Sequence, residues 1–247
     1  MTSDSTRTSA LHISAGTDEI RAAKLEATQR LLGSTMGISE EQWQSPSRLP
    51  GWTRAHVATH LARNADAFTR VVSGLAEDRQ VPMYDSRAER DQEIERGSER
   101  DGLALQIDLD TSAGRLHEAF NLLEALPPMT TVELAPGLEV DSGQLPTARL
   151  AEVLLHHLDL DVGFSLSDIS PDAAGWLLAW VCFRLRGRST IPAMRILSDT
   201  GLTDRIGGSG YAPTVRGSDA ALAGWLSGRT GPEELRGVQN LAIPLLG

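Results

Sequence analysis

The chain has 247 residues, enough for one large domain or two small ones, and its 23 basic against 33 acidic residues give a formal net charge of −10. That balance argues against nucleic acid or an anionic membrane as a partner, since both select basic surfaces. The one cysteine excludes an intramolecular disulfide and suits a reducing cytoplasm, and no apolar run is long enough to span a bilayer. Met1 to Ser14 is rich in Ser and Thr and lacks the apolar stretch of a signal peptide. Thr17 or Asp18 can cap a first helix running to about Ser34, with Ile20, Ala23, Ala27, Leu31 and Leu32 on its apolar side. A loop with Trp43, Pro46 and Pro50 follows. Thr53 then reads as the N-cap of a second helix extending to about Leu75. Beyond Pro82 a charged segment, Ser86 to Leu126, reads as helix with a bend at Gly97 and Gly102, stopped by Pro127-Pro128. A short hairpin is expected around Gly137, and a fourth helix from Pro146 to about Phe164.

After Ser170-Pro171 the texture changes. A helix is expected from about Asp172 to Arg186. Short strands are expected at 193–198, 212–217 and 241–243, with a helix between the last two that Ser218 caps and Gly228 closes. The whole is α+β: a four-helix bundle over residues 1–168 and a small α+β domain over 169–247. Cys182, inside Trp180-Val181-Cys182-Phe183, reads as a small core residue, so any thiol chemistry calls for a thiol from outside the chain.

Two helical stretches carry metal-ligand side chains among apolar residues. His56 and His60 lie one turn apart on the second helix, and Glu152 and His156 one turn apart on the fourth. Four of the six histidines fall in these two stretches. If the helices pack side by side, one carboxylate and two or three imidazoles converge. Three such ligands and an open fourth position describe a catalytic zinc site. The alternative is a pair of polar contacts on helix faces.

Leu49-Pro50-Gly51-Trp52-Thr53, then His60-Leu61-Ala62-Arg63-Asn64-Ala65-Asp66-Ala67, then Glu152-x-x-x-His156-His157-x-Asp159-Leu160 resemble the mycothiol-dependent maleylpyruvate isomerases, members of the DinB-like superfamily of metal-binding four-helix bundles. The likeness extends to Val215-Arg216-Gly217-Ser218 and Trp225-Leu226-Ser227-Gly228-Arg229, which resemble that family's sterol-carrier-like C-terminal domain. The resemblance implies His60, Glu152 and His156 as zinc ligands, with water in the fourth position and His56 as a neighbour. It implies Arg90 and Arg229 as the arginines that bind substrate carboxylates. From the residues alone, Arg90 reads equally as a surface partner of Asp91 or Glu93, and His157 as a hydrogen-bonded packing residue.

The implied reaction is the cis–trans isomerisation of maleylpyruvate to fumarylpyruvate, in gentisate-type aromatic degradation, with zinc and mycothiol as cofactors. The partners are then a dicarboxylate substrate and a low-molecular-weight thiol, with no nucleic acid and no membrane. Addition of a thiolate makes the double bond single, rotation follows, and elimination restores the alkene. A site of one Glu and two neutral His keeps a net positive charge with a divalent ion, which favours a thiolate ligand. Two other readings remain: a mycothiol S-transferase of the same fold, and a non-catalytic metal-binding stress protein. A hydrolase is disfavoured because neither helix carries H-E-x-x-H.

Overall fold

The computed structural model describes residues 11, 13, 16–126, 130–238 and 243–246. They group into two compact units, one spanning Ala15–Ala173 and the other formed mainly by Ala174–Gly247.

The first unit is built on four long helices, α1 (Thr17–Thr35), α3 (Arg54–Ala76), α5 (Gly102–Ala119) and α6 (Leu145–Leu160), with α3 and α6 in contact and each also packed on α1 or α5. A one-turn helix, α2 (Glu40–Trp43), lies between α1 and α3, and α4 (Arg87–Ser98) packs on α3. Alanines 55, 58, 62 and 65 of α3 are buried and small, which lets neighbouring helices approach closely, while Val57, Leu61 and Phe68 fill the core. α6 is buried along almost its whole length, and only Glu152 is partly open. Its polar residues therefore all need partners inside the bundle.

Thr53 caps α3 as its sequence predicts, but the reciprocal partner is unusual. Thr53 Oγ1 accepts from the His56 amide at 3.4 Å, and the Thr53 amide donates to His56 Nδ1 at 3.2 Å. A histidine thus fills the place that Glu or Gln usually takes in a capping box. The start of α1 differs from expectation: Gly16 is the N-cap, with no side-chain cap bond, and Thr17 and Asp18 lie in the first turn. The charged segment breaks between Ser98 and Gly102 into α4 and α5. Gly97 has a structural reason, since a Cβ there would collide with the Thr59 methyl of α3. α5 ends at Ala119 and continues as a 3-10 turn to Ala125, while Pro127 and Pro128 lie outside the described residues.

The expected hairpin is present as β1 (Thr131–Ala135) and β2 (Leu138–Asp141), with buried Val132 opposite buried Val140 and Gly137 at φ +76°. α6 ends four residues earlier than the expected Phe164. Asp161 turns left-handed (φ +54°), and the chain leaves the helix there. That leaves Phe164 free to stack on His157, ring centroids 3.9 Å apart and planes parallel. His157 is buried and packs, but Nε2 has no hydrogen-bond partner among the described residues, contrary to expectation.

Burial, with Arg30 nearby, lowers the His157 pKa to about 4. The fold therefore prefers the neutral ring, and its stability contribution is present above the unfolded pKa of about 6.5 and lost as pH falls towards 4. Wild-type protein should lose about 2 kcal/mol more stability between pH 7 and pH 5 than His157→Phe, which keeps the stack and cannot titrate. Urea midpoints at the two pH values measure this; equal losses would show that His157 is protonated at no cost.

The second unit contains most of α7 (Pro171–Leu185), a three-stranded sheet and α8 (Asp219–Leu226). The strand order is β4 (Thr203–Ile206), β3 (Met194–Ser198), β5 (Thr214–Gly217), with β3 antiparallel to β4 and parallel to β5. Two expected strands are thus β3 and β5. β4 is an addition, and Leu241 and Ala242 of the third expected strand lie outside the described residues. Ser218 caps α8 through the Ala221 amide, and Gly228 follows it at φ +76° against the Leu245 backbone. Cys182 is fully buried on α7, and burial pushes its thiol pKa far up. No helix among the described residues is long and apolar enough to cross a membrane.

Candidate metal centre

The junction of α3 and α6 sets the height of every ligand. At the start of α3, Arg54 Nε donates to the carbonyl of Leu160, the last residue of α6, at 2.7 Å. The Arg48 amide donates to the Asp159 carbonyl at 2.9 Å. The first turn of α3 is thus tied to the last turn of α6, and the two helices, antiparallel in chain direction, extend side by side from that knot. At ~1.5 Å rise per residue, His60 stands ~9 Å along α3 from Arg54, while His156 and Glu152 stand ~6 Å and ~12 Å back along α6 from Leu160. His60 therefore falls level with the gap between the other two.

Ligand-type atoms of His60, Glu152 and His156 all lie within 4.8 Å of one another. His60 Nε2 is 3.1 Å from Glu152 Oε2, and His156 Nε2 is 3.5 Å from the same oxygen. The two imidazoles meet edge-on, centroids 4.5 Å apart. Both are nearly closed off from water, whereas the Glu152 side chain keeps 24% exposure. Access to the cluster is on the carboxylate side.

The charges follow from this packing. Burial works against a charge on Glu152, but hydrogen bonds from His156 and His60 outweigh it and hold the carboxyl well below its usual range. Burial also opposes a proton on His156, yet hydrogen bonds to Asp159 and Glu152 raise its pKa. His60 goes the other way, to about 4, through burial and the neighbouring His156. One anionic carboxylate, one neutral imidazole and one imidazole that draws a proton in make a cluster arranged to hold positive charge. A divalent cation fits that donor set. His156 is already oriented for it, because its Nδ1 faces Asp159 Oδ2 at 2.9 Å and its Nε2 faces the cluster. Asp159 is fully buried, and a carboxylate behind a ligating histidine fixes ring and tautomer.

The sequence-predicted residues sort clearly. His60, Glu152 and His156 come together. His56 does not: Nδ1 serves the helix cap, and Nε2 lies 3.3 Å from Glu95 and 3.2 Å from Ser98. His157 faces Phe164. Arg90, on α4, pairs through one guanidinium nitrogen with Asp91 at 2.8 Å, as its surface reading expects, and the other nitrogen lies 3.2 Å from His60 Nδ1. A guanidinium only donates, so His60 Nδ1 accepts here and Nε2 carries the proton towards Glu152. Arg229 belongs to the other unit, where its Nη1 donates to the carbonyls of Ser227 (2.9 Å) and Leu246 (3.2 Å).

Three neighbours are given no role by the sequence, although Trp52 and Asp159 stand in the motifs quoted above. Asp159 lies three residues beyond His156, about one helical turn further along α6. Trp52 lies with its ring 5.6 Å from His60 and stacks on His56 at 6.2 Å, forming one wall of the cluster. Arg149, one turn before Glu152, is buried and donates to Asn64 Oδ1 at 2.5 Å and to the Leu61 carbonyl at 3.0 Å. Burial lowers its pKa to about 10, with the Glu152 charge opposing the fall.

A helical bundle with two imidazoles and a carboxylate converging from facing helices is the architecture of a candidate metal-binding enzyme. Residues 25–161 match the model of the mycothiol maleylpyruvate isomerase N-terminal domain, and the chain belongs to that family. Among solved structures, the chain is similar to a mycothiol-dependent maleylpyruvate isomerase, with a TM-score of 0.81 and 22% identity over 96% of this chain and 99% of that one. It is also similar to a histidine-to-alanine mutant of a mycothiol-dependent maleylpyruvate isomerase, with a TM-score of 0.79, 22% identity and the same coverage. The likeness confirms the α+β fold. No curated protein matches the chain.

Proposed function

We propose that this chain is a mycothiol-dependent isomerase that converts maleylpyruvate to fumarylpyruvate, with zinc held by His60, Glu152 and His156. The observation that carries the reading is the convergence of those three side chains from α3 and α6 in a chain of this family. A divalent ion bound there supplies the Lewis acidity that keeps an added thiol as its thiolate. The chain's own residues do the rest. Asp159 holds the His156 ring, and Trp52 shields the His60 side from water. Arg90, held beside His60, and Arg229, held by two carbonyls, are the arginines for the two substrate carboxylates, since a guanidinium stays charged and binds carboxylate with two donors. The only thiol of the chain is sealed in a core, which supports an external one. The single cysteine fits a reducing, cytoplasmic setting.

The test is a spectrophotometric assay of maleylpyruvate isomerisation with and without mycothiol, alongside metal content. Thiol-dependent turnover with about one zinc per chain is the expected result. Bound zinc without isomerisation would move the assignment to a mycothiol S-transferase, and protein that binds no divalent ion would move it to a non-catalytic role. Arg229→Ala should lower kcat/KM for maleylpyruvate by about 10- to 100-fold, the worth of a charged hydrogen bond. An unchanged kcat/KM would remove Arg229 from the substrate site.

A further inference from the structure

Beside the cluster lies a buried hydroxyl that the fold does not use. Tyr84 follows α3 on the segment that returns across it, and Arg70 anchors that segment by donating to the Met83 carbonyl at 2.8 Å. The Tyr84 hydroxyl is closed off from water and, among the described residues, has no partner at full hydrogen-bond geometry. Asn64, Arg90 and the Glu152 carboxylate all lie close enough to act on its charge. The Arg90 guanidinium sits 5.6 Å from the Tyr84 ring centre while touching His60, so tyrosine, arginine and cluster form one contiguous array. An orphaned buried hydroxyl costs stability. A phenylalanine would avoid that cost, so the hydroxyl calls for a ligand.

We propose that Tyr84 is a further catalytic residue of the isomerisation proposed above, on which this inference rests, its hydroxyl donating a hydrogen bond to the substrate ketone oxygen that is conjugated to the double bond. As the thiolate adds, a carbon–sulfur bond forms and the π pair moves onto that oxygen as an enolate. Rotation follows about the carbon–carbon bond, now single. The pair then returns, the carbon–sulfur bond breaks and the thiolate leaves. Tyr84 keeps its proton throughout, stabilising the oxygen when its charge is greatest. Burial and the Glu152 charge raise the phenol's pKa, which keeps it a donor.

The test uses the full chain loaded with zinc and two unreactive probes, 4-oxoheptanedioate, which has the ketone, and heptanedioate, which lacks it. By calorimetry, wild type should prefer the oxo compound about tenfold, and Tyr84→Phe should lose that preference while binding heptanedioate equally well. Its melting temperature should match or exceed wild type, since no bond is lost. In the isomerase assay, KM should rise by about the same tenfold loss of ketone binding, and kcat should fall about 100-fold beyond it. A preference that survives in Tyr84→Phe, a wild type that shows none, or equal weakening of both probes overturns the assignment. A preference that the variant loses, in a wild type that does not isomerise maleylpyruvate, supports Tyr84 as the ketone's donor and sinks the isomerase reading alone.

Discussion

Glu152→Gln should lower divalent-metal affinity by about 10³-fold and abolish thiol-dependent turnover with it. Zinc binding of about 10–16 kcal/mol, shared among three protein ligands, gives each one several kcal/mol. The change is isosteric, so packing is kept and charge alone is removed. Glu152 is the carboxylate that both imidazoles face, at 3.1 and 3.5 Å. A neutral amide cannot offset a divalent ion, and its NH2 group can turn a donor towards the same imidazoles. Competition against a chromophoric chelator measures the affinity, and circular dichroism checks the fold. Full metal retention in this variant would place the metal elsewhere in the chain.

Arg149→Ala should cost about 3–5 kcal/mol of folding stability, a large share of the ~5–15 kcal/mol that holds a typical domain. The guanidinium joins α6 to α3 through Asn64 and the Leu61 carbonyl, inside the bundle. Removing it leaves Asn64 Oδ1 without this donor and takes from the Leu61 carbonyl the bond it makes beyond its own helix, in a space that water does not fill for free. It also removes the positive charge nearest the start of the ligand turn, so Glu152 should hold a proton more tightly. Urea denaturation of the metal-free protein reads the first effect. A loss below about 1 kcal/mol would show that the bundle does not depend on this bond.

How much of this was legible follows from what each feature depends on. Thr53 as a cap, Gly97 and Gly102 as a break, and Ser218 before α8 are local, and local chemistry sufficed. The pairing of Glu152 with His156 follows from helical spacing, but His60 joins them only because Arg54 and Leu160 tie the helices at one height. Sequence spacing brings out the candidates; a tertiary knot brings them together. β4 was hidden because Thr-Asp-Arg-Ile buries only its last residue and shows no clear alternation. Tyr84 was hidden because its segment has no periodic pattern. Its place beside the cluster depends on Arg70, Arg90 and the packing of α4 on α3, which no local pattern specifies. His157 shows a different limit: its stack on Phe164 needs α6 to stop at Leu160, and the left-handed Asp161 that stops it is not a glycine.

The Arg54–Leu160 bond also bears on which changes in length this chain tolerates. The connection between α5 and α6 can grow or shrink without disturbing the ligands, because their heights are counted from the knot and not along the loop. One residue inserted between Arg54 and His60, or between Glu152 and Leu160, turns a ligand by ~100° and shifts it by ~1.5 Å, off the shared face. Two short helical intervals are thus fixed in length, and the loop between α5 and α6 is where insertions and deletions can accumulate.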